Sequence, residues 1–195
     1  MNLLAHAYLS PRVPGVLVGN VVADWVKGRA RLGLPAEVQA GMRLHGRIDA
    51  FTDTYREVLL CGELLADRWG RYAAVLVDIL FDHVLAAGWR RHSDVPLEQF
   101  AGEVYGALGA YRGALPARCN EAIAYMTADD WFTSYASLDG IRVTLSRLSR
   151  RLRHEVELAP AVDDFVRHRE AFERAFAVFF PELCAHAGAV EMAKV

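Results

Sequence analysis

The sequence predicts an all-α protein, a helical bundle of a single domain. Apolar residues recur every three to four positions through almost every segment, and no stretch shows the strict alternation of a half-buried strand. The chain has 195 residues, of which 53% are hydrophobic and 24% charged, which suits one domain with a sizeable core. Because no linker, repeat or low-complexity tail divides it, we expect one domain over residues 1–195.

Seven prolines mark the expected helix boundaries. Pro35 followed by Glu37 suits a helix start, because proline lacks the donor that a first turn would leave unpaired. The last helix carries four phenylalanines at helical spacing, which is typical of a core face: Phe165, Phe172, Phe176 and Phe179. The eight predicted helices cover residues 3–9, 15–28, 35–65, 71–91, 97–113, 116–126, 133–151 and 160–180.

The charge balance and the cysteines exclude several classes of protein. A net charge of -2, from 22 basic and 24 acidic residues, argues against an unspecific nucleic-acid binder. Cys61, Cys119 and Cys184 are widely spaced, which fits a reducing cytosol and indicates buried thiols rather than disulfides or a zinc knuckle. The N-terminus lacks a basic leader, and apolar stretches are shorter than the ~20 residues of a membrane span. We expect a cytoplasmic protein that binds neither membranes nor nucleic acids.

Histidine and aspartate residues recur at helical spacing in the third and fourth predicted helices. His45, Asp49 and Asp53 are each four residues apart, so a helix places them in one row. Asp78 and Asp82 share a face in the same way. Three further candidates lie in or beside apolar helical segments: His6, Asp24 and His83.

Each candidate alone has an ordinary structural explanation, such as a hydrogen-bonded core histidine for His6 or a helix cap for Asp24. Together they are harder to explain, because uncompensated burial of a carboxylate costs several kcal/mol and like charges raise each other's pKa. A divalent cation resolves both problems, so the sequence predicts a metal site. Carboxylates and imidazoles without a thiolate favour Mn²⁺, Mg²⁺ or Fe²⁺ over a structural zinc ion.

Such a cation would suit phosphoester chemistry. In a partly open site it binds a phosphate oxygen as a Lewis acid and lowers the pKa of bound water. Arg47 is a candidate for holding the phosphate, since a guanidinium fork matches phosphoryl oxygens. A surface salt bridge from Arg47 to Asp49 or Asp53 is an equally good interpretation.

Four sequence blocks resemble the acyl carrier protein phosphodiesterases. They are the opening MNLLAH, GNVVADWVKG at 19–28, HGRIDAFTD at 45–53, which is similar to the H-x-R-I-D-x-x-T-D signature, and DILFDH at 78–83. The blocks occur in the family's order and cover about the first half of the chain. Gly46 stands where better-known members carry a second arginine, which leaves the details of phosphate or carrier binding open.

The resemblance implies a specific reaction. That family hydrolyses the phosphodiester joining 4′-phosphopantetheine to a serine of holo acyl carrier protein, uses Mn²⁺, and is regarded as a divergent relative of the HD-domain phosphohydrolases. An HD-domain-like fold is therefore expected. By motif, the candidates for metal binding or catalysis are Asp24, His45, Asp49, Asp82 and His83, with His6, Asp53 and Asp78 as weaker candidates. His83 or His45, if not a ligand, would protonate the leaving serine oxygen.

The expected substrate is an acidic carrier protein, so we expect a basic surface to guide the encounter. Candidates for that surface are Arg29, Arg31, Arg90, Arg91 and the basic run at 147–153. The same run also fits an ordinary solvated helix face. Two other functions stay open: a metal-dependent phosphohydrolase of a nucleotide or small phosphoester, and a non-catalytic helical module that binds a partner.

Overall fold

The computed structural model describes residues 1–152 and 155–192, and over these ranges it contains helices and no β-strand. The predicted all-α class is confirmed. Arg153, the end of the predicted basic run, lies outside the described residues. The α-helices of the described part are α1 Leu3–Tyr8, α2 Pro14–Val22, α3 Ala36–Thr52, α4 Arg56–Trp69, α5 Ala73–Ala87, α6 Leu97–Ala110, α7 Ala117–Ala128, α8 Trp131–Ser134, α9 Leu138–Ser149 and α10 Ala161–Met192. Short 3₁₀ turns connect several of them.

One hydrophobic core joins all of these helices, with buried side chains running from Met1 to Leu183. Helix α5 lies near its centre and packs against α1, α4, α9 and α10. The four phenylalanines predicted as a core face are buried in α10, so that prediction is confirmed. Within the ranges given above, no helix is both long and apolar enough to cross a lipid bilayer.

The third predicted helix is two helices, which corrects the expected span of 35–65. Helix α3 ends at Thr52 and α4 begins at Arg56. The hydroxyls of Thr52 and Thr54 donate to the carbonyls of the residues four positions earlier, at 2.8 and 3.0 Å. Such side-chain bonds compete with the helical ladder, and the backbone turns extended at Tyr55.

Three other predicted helix boundaries are also wrong. The second helix ends at Val22 rather than residue 28, so Asp24 lies in a 3₁₀ turn and not inside an apolar helix. The seventh is divided before Ser137, whose hydroxyl accepts the first-turn amide of α9. The last is kinked at His168, where the backbone leaves the helical region, and it continues through Pro181 to Met192, because the later turns still bury apolar side chains.

Two glycines let α2 and α3 cross in close contact. A Cβ atom on Gly19 would collide with the Val38 carbonyl oxygen, and one on Gly41 with the carbonyl oxygen of Val16. Because Gly19 and Gly41 have no side chains, the backbones of α2 and α3 are in direct contact at the crossing. This crossing places Asn20, which is completely buried, against the face of α3 that carries the predicted row of polar residues.

Replacing Gly41 by alanine is expected to destabilise the protein by about 1–3 kcal/mol, because the added methyl group has no room at the helix crossing. Gly46→Ala in the same helix is the matched control, since a Cβ there meets open space. The control is expected to stabilise by up to ~1 kcal/mol through helix propensity. Urea unfolding of the two variants measures both effects, and equal changes would contradict the close crossing.

Candidate metal centre

Three side chains from two helices converge on one point. His6 on α1 and His45 and Asp49 on α3 each offer one ligand atom, and these atoms lie within 4.8 Å of one another. His6 Nε2 is 3.1 Å from Asp49 Oδ1, and His45 Nε2 is 3.0 Å from Asp49 Oδ2. The two imidazole rings stack with centroids 3.9 Å apart. Asp49 thus faces the Nε2 edges of two stacked imidazole rings.

Asn20 determines which nitrogen of each ring faces Asp49. Its amide nitrogen donates to the His6 carbonyl oxygen at 2.7 Å and to the hydroxyl of Ser10 at 2.9 Å, so its Oδ1 is free to accept from His6 Nδ1 at 2.9 Å. The backbone carbonyl of Asn20 accepts from His45 Nδ1 at 2.8 Å. Donation from Nδ1 in both rings turns Nε2 toward the carboxylate, and His6 Nε2 also lies 3.1 Å from the carbonyl oxygen of Met1.

This arrangement demands a positive charge at the centre. Neutral rings would aim two lone pairs at the oxygens of Asp49, and such an arrangement repels unless a proton or a metal ion lies between them. His45 Nε2 is buried and, within the described residues, makes no hydrogen bond of acceptable geometry despite the short distance. An unsatisfied imidazole nitrogen beside carboxylate oxygens makes this cluster a candidate metal site.

The pKa values of the two histidines move in opposite directions. Burial lowers the pKa of His6 to about 4, so its ring is neutral, as a metal ligand must be. Burial also lowers the pKa of His45, but Asp24 and Asp49 outweigh it and raise the pKa to about 9. For Asp49, burial is outweighed by the two histidines, which hold its pKa well below the usual range. Without a metal ion, a proton on His45 supplies the positive charge.

Two other predicted residues border the cluster. Asp24 Oδ1 lies 3.6 Å from His45 Nε2, and its side chain is 72% exposed, so this side of the cluster is open to solvent. Asp78 Oδ1 lies 3.0 Å from the buried α-amino nitrogen of Met1, which is 3.5 Å from Asp49 Oδ1. The α-amino group therefore lies between Asp78 and the cluster.

Sequence reasoning missed both this α-amino group and the part played by Asn20, although an asparagine between apolar residues was a visible signal.

Asp82 and His83 lie apart from this cluster and face different surroundings. Asp82 is completely buried, and its two oxygens accept the amides of Leu4 and Ala5 at 2.8 and 3.1 Å, which fixes the first turn of α1. Burial raises the pKa of Asp82 to about 7. His83 donates from Nδ1 to the Tyr135 carbonyl oxygen at 2.8 Å and lines a separate cavity of about 400 Å³. Their metal-binding or catalytic roles stay predictions.

The remaining residues of the signature are on the surface. Asp53 is the exposed cap residue one turn beyond Asp49 at the end of α3. Arg47 is exposed, and among the described side chains it forms no salt bridge, so the predicted pair with Asp49 or Asp53 is not seen. Gly46 is also exposed and faces open space. Its lack of a side chain leaves the cluster unchanged.

Comparison with known proteins determines the family. The family sequence model described as acyl carrier protein phosphodiesterase matches residues 1–183. The chain belongs to this family. The resemblance seen in the first half thus extends through nearly the whole chain.

Relatives named acyl carrier protein phosphodiesterase agree with this assignment. The relative from Pectobacterium atrosepticum is 32% identical to this chain over 184 residues. The match covers 94% of this chain and 95% of the relative. The one from Salmonella agona is 30% identical over 188 residues, 96% of this chain and 97% of its own. No solved structure matches the chain. The HD-domain-like character of the acyl carrier protein phosphodiesterase fold therefore stays a prediction.

Proposed function

We propose that the protein hydrolyses the phosphodiester that joins 4′-phosphopantetheine to the serine of holo acyl carrier protein. The products are the apo carrier and free 4′-phosphopantetheine. The supporting observation is that a chain of this family brings two imidazole nitrogens and a carboxylate together beside an open surface. The family's name identifies the carrier protein as the substrate.

A divalent cation bound by His6, His45 and Asp49 is part of the proposal. The donors are two imidazoles and carboxylate oxygens with no thiolate, which fits Mn²⁺, with Mg²⁺ or Fe²⁺ as alternatives. When bound, such an ion polarises a phosphoryl oxygen and activates water. Asn20 orients both rings, as outer hydrogen-bond partners of metal-binding histidines do.

Asp24 is the proposed general base. It lies on the open side of the cluster, within 3.6 Å of His45 Nε2. The neighbouring His45 keeps the pKa of Asp24 below its usual value, so the carboxylate is ionised at neutral pH and can accept a proton from the attacking water. His45 or His83 stays the predicted acid for the leaving serine oxygen, and Arg47 the predicted phosphate contact.

The carrier protein is expected to dock against the basic end of α9. Arg147, Arg150 and Arg151 cluster there beside Trp131, and Asp129 pairs with Arg147 at 2.8 Å. An acidic carrier would be steered toward this surface. Of the other candidates, Arg31 is engaged inside the chain, donating to two backbone carbonyls of the segment that carries Asp24.

We place the reaction in the cytoplasm, as the three free cysteines suggest. Cys61 and Cys119 are buried, and burial raises the pKa of the Cys61 thiol to about 12. A thiol with a raised pKa is a poor nucleophile at neutral pH. A cysteine nucleophile is therefore not part of the proposed mechanism.

Mass spectrometry of holo acyl carrier protein tests the proposal. Incubation with the protein and Mn²⁺ is expected to convert the carrier to its apo mass and to release 4′-phosphopantetheine. Protein stripped with a chelator should be inactive until Mn²⁺ is restored. An unchanged carrier mass with metal present would contradict the proposal, and turnover of free nucleotides in its place would favour the alternative phosphohydrolase.

A further inference from the structure

A small pocket is lined in part by Asp24, the residue that borders the cluster of His6, His45 and Asp49. Its volume is about 170 Å³, and it lies between the turn after α2 and helices α5 and α9. Most of the wall is apolar, and its main side chains are Trp25, Val75, Ile79, Trp131 and Leu148. Pockets for whole drug-sized ligands occupy ~300–1,000 Å³, so this pocket has room for a segment of a larger molecule.

Trp131 lines this pocket and carries a buried polar group. Its side chain is 8% exposed, and in the described part of the chain the indole Nε1–H has no hydrogen-bond acceptor. A buried donor without a partner is costly, and a ligand carbonyl that reached it would remove this cost.

Two arginines join the pocket to the surface. The guanidinium carbons of Arg147 and Arg151 lie 5.9 and 6.0 Å from the centre of the Trp131 ring, and both side chains line the pocket. One wall of the pocket is therefore also the basic surface proposed to receive the carrier. The pocket therefore lies between the candidate metal site and the basic surface.

We propose that this pocket binds the pantetheine arm of the substrate. The inference rests on the proposed function and specifies how that substrate is recognised. The arm begins at the scissile phosphate with a branched dimethyl segment, which matches the apolar walls of the pocket. The phosphodiester then lies at Asp24 and the metal cluster, and the carrier lies outside against Arg147 and Arg151.

Filling the pocket is the test. Thr144 on α9 lines the pocket and is half-buried, so Thr144→Phe places a ring in the space. The matched control is Val143→Phe at the neighbouring position, which is exposed and does not line the pocket. Three measurements are compared: calorimetric binding of free pantetheine, kcat/KM with holo carrier, and kcat/KM with bis(4-nitrophenyl) phosphate, a diester without the arm.

Thr144→Phe is expected to weaken pantetheine binding and to lower kcat/KM for holo carrier by at least about tenfold, while kcat/KM for the arm-free diester falls by clearly less. Val143→Phe should match the wild type in all three measurements. Pantetheine binding unchanged in Thr144→Phe, or an equal loss with both substrates, would overturn the proposal. If Thr144→Phe does not fold, Trp131→Ala removes a large part of the apolar wall, and unchanged pantetheine affinity in that variant would overturn the proposal instead.

Failure of the pocket and failure of the proposed function give different results. Pantetheine binding needs no catalysis, so binding that Thr144→Phe abolishes supports the pocket even if holo carrier is not hydrolysed. Hydrolysis of holo carrier together with pantetheine binding that ignores Thr144→Phe supports the function and rejects the pocket.

Discussion

Asp49→Asn is expected to lower kcat/KM for holo carrier by roughly a thousandfold or more, with the fold retained. Asparagine keeps the shape of the side chain but removes the charge that both His6 Nε2 and His45 Nε2 face at about 3 Å. A cation held between these groups loses its carboxylate ligand. Kinetics with holo carrier and the Mn²⁺ affinity of the variant measure the effect, and circular dichroism checks the fold.

Asp53→Asn is the matched control for this variant. It makes the same chemical change one helical turn further along α3, at an exposed position outside the cluster. Its activity is expected to stay within about twofold of the wild type, as for surface substitutions in general. An Asp49→Asn protein as active as this control would contradict the proposed metal centre.

Asp82→Ala is expected to cause the largest loss of stability, about 2–5 kcal/mol. The substitution leaves the amides of Leu4 and Ala5 buried without an acceptor, and each unsatisfied group costs ~1–3 kcal/mol. Because α1 carries His6, a loosened first turn also disturbs the metal cluster. Asp82→Asn keeps one oxygen acceptor and should lose less stability than the alanine variant.

Urea unfolding of the metal-free variants separates this structural role from a ligand role. Asp67→Ala, at an exposed position of α4, serves as the control and is expected to change stability by less than ~0.5 kcal/mol. If Asp82→Ala unfolds like the wild type but no longer binds Mn²⁺, Asp82 is a metal ligand and the capping interpretation is wrong.

The sequence was sufficient for features that depend on local periodicity. The all-α class and the buried phenylalanines of α10 follow from helical spacing, and so does the pairing of His45 with Asp49 one turn apart. Each of these features depends on the spacing of residues within a single helix. No knowledge of distant contacts is needed to predict them.

Features that depend on packing between helices were beyond the sequence. His6 joins His45 and Asp49 from another helix, and only the close crossing of α2 and α3 explains why Asn20 reaches both histidines. Asp82 and His83 are neighbours in sequence, yet adjacent positions on a helix point about 100° apart. One therefore caps α1 while the other faces Tyr135.

Helix boundaries failed where local side chains override the apolar period. The apolar stripe predicted one helix through residues 35–65. The side-chain hydroxyls of Thr52 and Thr54 donate hydrogen bonds to backbone carbonyls and end the helix early. At Pro181 the error is the opposite one, because the helix was predicted to end there and does not. Burial of the following turns stabilises α10 beyond a residue that lacks a backbone donor. In both places the deciding interaction is one that hydrophobic spacing does not contain.

Elemental analysis after dialysis against Mn²⁺ is the most direct test of a metal centre at His6, His45 and Asp49. The wild type is expected to retain about one ion per chain, and a variant with both His6→Ala and His45→Ala should retain none while staying folded. Undiminished Mn²⁺ in the double variant, or none in the wild type, would contradict the metal centre and the phosphodiester chemistry proposed for it.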